Sequence, residues 1–474
     1  MMKDELLYIR DNRFLEKTAF RYNKGENLIA VSYRQFYTDI QKTAGGLEKR
    51  IGSLSGTHIG LFAQVSYEAL VCMYAVWLSG GVIIPINTGK EWEQIVREIE
   101  RSEAVYFLAD ESYIKENPQF SSYAEGRAIP LNIVHGDAPY GTLCDPAQDQ
   151  LSTVLFTSGT TGSSKGVSIS WHTLCSNAAS FSAYYNRRKS ERIFFCLPLY
   201  HLYAISVITS CLLTGRTAYI MNRQQTLKKN IASCGCDTFP LVPLHVDYLQ
   251  KLLQKKQREN LGVMREICCA GAPCNAELFD TFSRYGIRIT NQYGMTENGI
   301  GTINLSDDPQ VMAQSVGCAF GDTQIRIEEN EILLKGSSTM TGYYNDLEAT
   351  AEAIQDRWLH TGDMGYLDEN GYLYITGRKK NLIILSGGEN ISPERIEALL
   401  NKNDRIIEVV VKEKENQVCA EIYCEESDQP AVREWVDEVN QGLAYYQHVT
   451  LIEFRSTPFE KTASGKIKRA PVRL

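Results

Sequence analysis

The stretch that decides the fold is residues 154–169, which read VLFTSGTTGSSKGVSI. Apolar residues open and close it, so it predicts a strand, a Gly/Ser/Thr loop and a second strand. Such a loop offers many backbone N–H groups, several hydroxyls and one lysine, Lys165, which together suit a polyphosphate. Glycine permits the turns and the close approach of backbone to ligand. We therefore predict a phosphate-binding loop here, although a plain Ser/Gly hairpin tip would read similarly.

The loop is not a Walker A loop. That pattern needs glycine five residues after Gly159 and Ser or Thr directly after the lysine. This chain has Ser164 and Gly166 at those positions. A phosphotransferase that uses this loop is therefore disfavoured, but it stays open as an alternative.

Outward from this stretch, short apolar strands alternate with helix-like segments from about residue 55 to 295. The alternation predicts an α/β fold with largely parallel sheets. The predicted helices are Tyr67–Leu78 and Glu91–Ser102. The predicted strands are Ile59–Phe62, Val82–Ile86, Ala104–Leu108, Arg192–Leu197, Thr238–Val242, Glu266–Ala270 and Arg288–Asn291.

After residue 320 the pattern becomes antiparallel β. A hairpin is predicted around Glu329-Asn330, from Gln324–Glu328 and Glu331–Lys335, and a further strand at Tyr372–Thr376. A boundary falls near residues 377–380, and a small unit of mixed α and β follows it. Its predicted helices and strands are Pro393–Leu400 with Ser392 as N-cap, Ile406–Val411, Val418–Tyr423, Ala431–Val439 and Val449–Phe454.

Composition limits the function classes. The 474 residues are 43% hydrophobic and 22% charged, which predicts a globular protein of at least two domains. A net charge of −8 argues against nucleic acid or an anionic membrane as the main partner. We expect no signal peptide and no membrane span, because no apolar run is long enough. Thirteen cysteines without a CxxC pair favour a reduced, cytoplasmic protein with no zinc site.

Further motifs follow the loop in a fixed order. They are Cys269-Ala270-Gly271-Ala272-Pro273, Gln292-Tyr293-Gly294-Met295-Thr296-Glu297, His360-Thr361-Gly362-Asp363, Gly377-Arg378-Lys379-Lys380, Ser386-Gly387-Gly388-Glu389-Asn390-Ile391 and Thr462-Ala463-Ser464-Gly465-Lys466-Ile467-Lys468-Arg469. Together with the loop, this set resembles the adenylate-forming superfamily, which includes acyl- and aryl-CoA synthetases, nonribosomal adenylation domains and luciferases. The resemblance covers about residues 30 to 469. One departure is Ser164, where that superfamily usually has proline.

The resemblance implies a fold and a division of the chain. It implies a large N-terminal AMP-binding domain at 1–378, of two α/β subdomains plus a β-rich subdomain. A small mobile C-terminal α+β domain would occupy 379–474, with its hinge near Lys380. Gly387 and Gly388 would line a tunnel for the thiol, where glycine leaves room for a slim pantetheine arm.

The resemblance also implies site roles, with ATP and Mg²⁺ as cofactors. Glu297 would hold Mg²⁺, Thr296 would meet the α-phosphate or the substrate carboxylate, and Lys466 would meet both during adenylation. The implied nucleotide contacts are the phosphate loop (Thr157, Ser158, Gly159, Thr160, Thr161 and Lys165), the adenine contacts (Gly271, Ala272 and Tyr293) and the ribose contacts (Asp363 and Arg378). Taken singly, several of these have plainer readings: Tyr293 as a core tyrosine, Asp363 as a turn residue and Lys466 as a solvated lysine.

The sequence predicts the identity of the acid and of the thiol less closely than it predicts the nucleotide site. His201, within Leu197–Tyr203, matches the acyl- and aryl-CoA ligase pattern and would gate the acid pocket. Amino-acid adenylation domains usually have an aspartate nearby, and none lies between Ile193 and Val207. We therefore expect a small-molecule fatty, aryl or other non-amino acid. The thiol would be CoA, or else the phosphopantetheine arm of a separate acyl carrier protein, since no carrier domain is expected on this chain.

The resulting prediction is an ATP-dependent acid–thiol ligase. It would adenylate the acid with release of pyrophosphate and then pass the acyl group to CoA. The alternatives are an acyl- or aryl-AMP ligase that loads a carrier protein, a phosphotransferase, and a nucleotide-binding regulator without catalysis. The chain length of the acid is not predicted.

Overall fold

The computed structural model describes residues 14–135, 140, 141, 143, 146–157, 164–221, 226–255, 258–271, 276–385, 390–461, 467 and 469. The chain separates into two compact units. The large unit contains the described residues up to 325 together with 334–359. The small unit contains 326–333 and the described residues from 360 onward.

The described residues form β-strands along the whole chain. In order they are β1 (Thr18–Lys24), β2 (Asn27–Ser32), β3 (His58–Phe62), β4 (Val82–Pro85), β5 (Tyr106–Ala109), β6 (Ala128–Pro130), β7 (Leu151–Phe156), β8 (Gly166–Ser170), β9 (Arg192–Phe195), β10 (Thr217–Ile220), β11 (Thr238–Leu241), β12 (Glu266–Ala270), β13 (Arg288–Met295), β14 (Gly299–Ile303), β15 (Cys318–Ala319), β16 (Gln324–Glu328), β17 (Glu331–Lys335), β18 (Gly342–Tyr343), β19 (Ile354–Gln355), β20 (Trp358–Leu367), β21 (Leu373–Arg378), β22 (Ile383–Ile384), β23 (Asn390–Ile391), β24 (Glu408–Lys414), β25 (Gln417–Tyr423) and β26 (Val449–Arg455).

Helices separate many of these strands. In order they are α1 (Tyr33–Ile51), α2 (Tyr67–Leu78), α3 (Trp92–Arg101), α4 (Glu111–Glu116), α5 (Pro118–Tyr123), α6 (Trp171–Arg188), α7 (Leu202–Leu213), α8 (Leu227–Cys234), α9 (Pro243–Gln254), α10 (Ala276–Ser283), α11 (Pro309–Gln314), α12 (Leu347–Ala353), α13 (Pro393–Leu400) and α14 (Gln429–Gln441). Helix α2 has the predicted bounds. Its side chains are buried on all sides, and Ser66 caps it by accepting a hydrogen bond from the Ala69 N–H.

The large unit contains two large β-sheets. The nine-stranded sheet has the order β15-β14-β13-β12-β11-β9-β10-β1-β2, and the strands from β13 to β1 in that order are parallel. The seven-stranded sheet has the order β18-β8-β7-β4-β3-β5-β6, with β7 to β6 parallel. This confirms the predicted α/β class. Ligands of such sheets bind beyond the carboxyl ends of the parallel strands.

Strand β13 is longer than the sequence predicted. The expected strand stopped at Asn291, before the polar Gln292, but β13 runs on to Met295. It continues because β14 turns back and pairs with it, Gln292 opposite Ile303. Tertiary pairing thus overrides the weak strand character of polar residues.

The predicted hairpin at Glu329-Asn330 is confirmed. Both residues adopt left-handed φ angles, 49° and 65°, as a tight turn between two strands requires. The hairpin strands belong to a five-stranded sheet of order β16-β17-β20-β19, with β21 paired to β20. The strand predicted at Tyr372–Thr376 is β21, shifted by one residue at its start.

The C-terminal part of the small unit has its own core. The three-stranded sheet β24-β25-β26 packs with α13 and α14 around buried residues such as Ile396, Val411 and Val436. Helix α13 begins as predicted, with the Ser392 side chain accepting from Arg395 N. A small mixed αβ domain at the C-terminus is therefore confirmed. Its mobility and the division at residue 378 stay predictions.

Among the described residues, no helix has both the length and the apolar character that crossing a bilayer requires.

Candidate functional site

Several predicted site residues follow parallel strands at one sheet edge of the large unit. His201 lies beyond β9, Gly271 follows β12 directly, and Thr296 follows β13. Strands β9, β11, β12 and β13 are consecutive neighbours and run parallel. Their carboxyl ends therefore share one edge, where this fold class binds ligands.

The turn after β13 is held rigidly. Thr296 and Glu297 lie in the turn to β14, with Tyr293 9% and Glu297 8% exposed. A Cβ atom at Gly294 would lie 1.9 Å from the Gly299 carbonyl oxygen, so the two strands approach too closely for any side chain there. The turn thus fixes the direction in which the Thr296 and Glu297 side chains leave the backbone.

Tyr343 links this turn to the phosphate-loop lysine. Its hydroxyl donates to Glu297 Oε1 at 3.0 Å, and Lys165 Nζ lies 4.7 Å from its ring centroid. Burial and the Glu297 carboxylate raise the pKa of Tyr343, so the phenol stays protonated and keeps donating. A cation and a carboxylate 132 positions apart in the sequence therefore contact one side chain.

No motif in the sequence points to Tyr343. The Tyr343-Tyr344 pair sits in a β-rich region, but no spacing rule connects it to Glu297. Its place follows from sheet pairing, because β18 pairs with β8 and sets Tyr343 opposite Val167.

The two ends of the predicted phosphate loop meet. The Thr157 N–H donates to the Lys165 carbonyl oxygen at 3.1 Å, next to the pair Phe156 and Gly166 of β7 and β8. This confirms the two strands that were predicted on either side of the loop. The loop residues Ser158, Gly159, Thr160 and Thr161 lie outside the described residues.

The donor set near Glu297 suits Mg²⁺ bound together with phosphates. Among the described residues, no cluster of three or more His, Cys, Asp or Glu side chains could hold a metal ion. Mg²⁺ in nucleotide enzymes is commonly held by one or two carboxylates plus substrate phosphates. One buried carboxylate beside a lysine for the phosphates fits that mode.

The candidate acid-pocket and adenine residues differ in exposure. His201 is exposed, directly precedes α7, and its ring lies 4.7 Å from that of Tyr200. Gly271 is exposed, and its φ of 97° is one that only glycine adopts readily. Ala272 lies outside the described residues.

Gln292 is a further candidate site residue, for which the sequence predicted no role. It is 2% exposed, and neither its amide oxygen nor its amide nitrogen has a hydrogen-bond partner among the described residues. Such a group is costly to bury unless a ligand or water satisfies it. A polar amide inside an otherwise buried strand was the signal available in the sequence.

In the small unit, the two predicted ribose residues lie together. Asp363 on β20 is the cross-strand partner of Arg378 on β21, and Arg378 Nε lies 2.6 Å from Asp363 Oδ1. Asp363 is 3% exposed, while the arginine side chain remains 44% exposed. The pairing holds the carboxylate in place. Ribose binding by these residues stays a prediction.

Glu331 fixes the backbone beside Asp363, although no motif in the sequence points to it. Its carboxylate accepts hydrogen bonds from Gly362 N at 3.1 Å and Lys379 Nζ at 2.8 Å, and lies 3.4 Å from His360 Nδ1. Burial opposes its ionisation, but these contacts prevail and hold the pKa of Glu331 below its ordinary 4.5. The buried glutamate therefore ties Gly362 of β20 to the segment that contains Lys380.

We expect Glu331→Gln to destabilise the small unit in a pH-dependent way. The variant should lose about 1–2 kcal/mol of unfolding free energy near neutral pH, because charge-assisted bonds to a buried carboxylate are lost. A lowered carboxyl pKa stabilises the fold above the ordinary value and stops doing so as the pH falls through the lowered one. The difference in Tm between wild type and variant should therefore shrink below pH 4.5.

Thermal unfolding followed from neutral to acidic pH checks this, with Glu369→Gln as the control. Glu369 is an exposed glutamate of the same unit. A Tm difference that widens on acidification would contradict the account.

The residues around Lys466 are anchored, although Lys466 itself lies outside the described residues, as do Gly387 and Gly388. On one side, Lys461 Nζ lies 2.6 Å from Glu408 Oε1. On the other, Arg469 Nη2 lies 2.5 Å from Glu397 Oε2. Both tethers end on the body of the small unit. Lys380, the predicted hinge, lies in the short 3₁₀ turn Lys379–Asn381.

The chain is similar in sequence to known proteins. A family model described as "AMP-binding enzyme" matches residues 9–344. The 2-succinylbenzoate–CoA ligase of Bacillus cereus (strain Q1) is 27% identical over 396 residues, or 80% of each chain. That of Bacillus mycoides (strain KBAB4) is 28% identical over 376 residues, or 76% of each chain.

Solved structures share the fold. O-succinylbenzoate CoA synthetase from Bacillus subtilis, in complex with the acyl-adenylate intermediate, superposes with a TM-score of 0.85 at 24% identity, covering 98% of this chain and 97% of that one. ATP-bound MatB from Rhodopseudomonas palustris gives a TM-score of 0.85 at 24% identity, covering 99% and 97%. At these identities the likeness speaks for the fold alone.

Proposed function

The chain belongs to the AMP-binding enzyme family, and from this premise we propose that it is an ATP-dependent acid–thiol ligase. It joins a carboxylic acid to AMP, releases pyrophosphate, and transfers the acyl group to CoA. The observation that carries the proposal is Tyr343, which contacts both the phosphate-loop lysine and Glu297. A cation and a carboxylate placed around one side chain suit a metal-bound polyphosphate.

The first step needs this arrangement because two anions must meet. A carboxylate oxygen attacks the α-phosphorus, a new O–P bond forms, and the bond to the β-phosphate oxygen breaks with its electron pair on pyrophosphate. Two like charges about 4 Å apart cost roughly 4 kcal/mol at an effective dielectric near 20. Bound Mg²⁺ would neutralise phosphate charge. Lys165 and Thr157 would orient the phosphates, and Glu297 would hold the ion.

The second step transfers the acyl group from phosphate to sulfur. The thiol loses its proton, the sulfur attacks the acyl carbon, and AMP leaves. Groups that offset charge between the carboxylate and the α-phosphate in the first step are not required in the second. In this proposal the small unit supplies Lys466 for the first step and Gly387 and Gly388 for the second.

The acid is proposed to be an aryl, fatty or other acid without an amino group. No aspartate lies between Ile193 and Val207, where one could hold an ammonium group. The Gln292 amide has no hydrogen-bond partner within the described part of the chain, which favours an acid with a second polar group, such as a keto group or another carboxylate. 2-Succinylbenzoate, the acid named for the Bacillus relatives, is therefore the first substrate to try.

CoA is the proposed thiol, because the relatives at 27–28% identity are named as CoA ligases. The alternative is transfer to the phosphopantetheine arm of a carrier protein. A cytoplasmic setting, where thiols stay reduced, completes the proposal. Among the described cysteines, all but Cys318 are buried, as small hydrophobic side chains in a core are.

Pyrophosphate release across a panel of acids tests the function. The panel should contain 2-succinylbenzoate, benzoate, short and long fatty acids and one amino acid, each with ATP and Mg²⁺, with and without CoA. We expect acid-dependent pyrophosphate and AMP, and a CoA thioester only when CoA is present. Adenylate that reacts with a carrier protein but not with CoA would favour the alternative acceptor. ADP in place of AMP would instead indicate a phosphotransferase.

A further inference from the structure

Ser164 lies at the C-terminal end of the predicted phosphate loop, and two side chains of helix α3 form hydrogen bonds with it. Ser164 Oγ donates to Glu98 Oε1 at 2.7 Å, and Arg101 Nη1 donates to the Ser164 carbonyl oxygen at 2.6 Å. Glu98 and Arg101 are three residues apart on α3, which places them on one face of the helix. One helix thus holds both the side chain and the backbone of the residue before Lys165.

Glu98 is buried, and its charge is already matched. The residue is 2% exposed, and Lys90 Nζ lies 2.5 Å from the same Oε1 atom that accepts from Ser164. A buried carboxylate needs such partners to offset its desolvation. Because Lys90 pairs with the Glu98 carboxylate, this carboxylate would repel bound phosphates little. The hydrogen bond from Ser164 to Glu98 can therefore position the backbone next to Lys165 without opposing phosphate binding.

A second tether reaches the other side of Lys165. Glu103, just beyond α3, accepts from the Tyr344 hydroxyl at 2.5 Å. The Tyr344 N–H donates to the Gly166 carbonyl oxygen at 2.7 Å. Ser164 and Gly166, the two neighbours of Lys165, are therefore both fixed to the C-terminal end of α3.

We propose that Glu98 is a positioning residue for ATP binding, which acts through Ser164 on Lys165. Serine leaves its own φ free, whereas a proline ring at this position would fix it. In this chain the hydrogen bond from Ser164 Oγ to Glu98 restrains the backbone of Ser164 in place of a proline ring. It thereby fixes the direction of the backbone that carries the Lys165 side chain. The proposal rests on the proposed function only in taking the ligand of Lys165 to be ATP.

Binding measurements on the full-length protein test the proposal. The variants are Ser164→Ala, Glu98→Ala, the pair together and Glu98→Gln. The readouts are the Kd for ATP with Mg²⁺ by calorimetry without acid, Tm, the KM values for ATP and acid, and the rate of CoA transfer from supplied acyl-AMP. Glu100→Ala, an exposed glutamate on the same helix, is the matched control.

Ser164→Ala and Glu98→Ala should each raise the Kd for ATP about tenfold, as loss of a bond to a charged acceptor predicts. The double variant should be no weaker than the worse single one, because both changes remove the same bond. Glu98→Gln retains an amide oxygen to accept from Ser164 and should stay within about twofold of wild type. Acid KM, transfer from acyl-AMP and the Glu100→Ala control should not change.

Wild-type ATP affinity in Ser164→Ala would overturn the proposal, as would additive losses in the double variant. Equal loss of both half-reactions with a lowered Tm would also overturn it, since that pattern marks a merely structural contact. If Glu98→Ala fails to fold, Ser164→Ala and Glu98→Gln still decide. Failure of the proposed function looks different: ATP binds, but no acid releases pyrophosphate.

Discussion

Lys466→Ala is expected to slow acyl-adenylate formation about 100- to 1000-fold, yet to leave CoA transfer from supplied acyl-AMP nearly unchanged. The physical reason is that the lysine would offset charge between carboxylate and α-phosphate only while that bond forms, and one such group is worth a factor of this size. Once acyl-AMP exists, the repulsion between the two anions no longer has to be overcome. Pyrophosphate release measures the first step, and thioester formation from synthetic acyl-AMP measures the second.

The control for this experiment is Lys402→Ala, an exposed lysine of the small unit. It should leave both steps unchanged. A Lys466→Ala variant that loses both half-reactions equally would refute the step-specific role. The tethers of Lys461 and Arg469 do not involve the Lys466 side chain, so the substitution should not release the segment.

Glu297→Gln is expected to lower kcat/KM for adenylation by a factor on the order of 100 and to raise the Mg²⁺ concentration needed for half-maximal rate. Glutamine is nearly isosteric and still accepts the hydrogen bond from Tyr343, so the substitution removes charge with little loss of shape. Partial recovery at high Mg²⁺ should follow, because weaker ion binding can be offset by mass action. Initial rates over a Mg²⁺ titration provide the measurement.

Two further variants distinguish the effect of the Glu297 charge from that of the hydrogen bond that Tyr343 donates to it. Tyr343→Phe keeps the carboxylate but removes the 3.0 Å hydrogen bond, and we expect only a severalfold loss. Glu352→Gln changes an exposed glutamate of the same unit and should have no effect. An unaltered Mg²⁺ requirement in Glu297→Gln would remove that residue from the metal site.

Much of the fold was predictable because the spacing of apolar residues in a helix or strand reflects which of its faces is buried. Strand β12, helix α2 and helix α13 have the bounds that apolar runs and caps indicate. The end of β13 was missed because a polar strand segment is stabilised by a partner, β14, that local pattern does not reveal.

Which candidate site residues lie close together was predictable only in part. Motif residues could be named one by one from the resemblance, and the structure brings Asp363 beside Arg378 and places Lys165 and Glu297 on one tyrosine. Tyr343, Glu331 and Glu98 could not be found in this way. Their partners lie 46, 31 and 66 positions away, and only sheet pairing and helix packing bring them together.

The close approach of Gly294 to the Gly299 carbonyl has a practical consequence for altering this protein. Backbone cannot yield as a flexible side chain can, so a substitution library that randomises the whole 292–299 segment would mostly contain misfolded members. Selection for new acids should hold both glycines constant. We propose Gln292 and His201 as the positions to vary, because both are candidate contacts of the acid and neither is one of these two glycines.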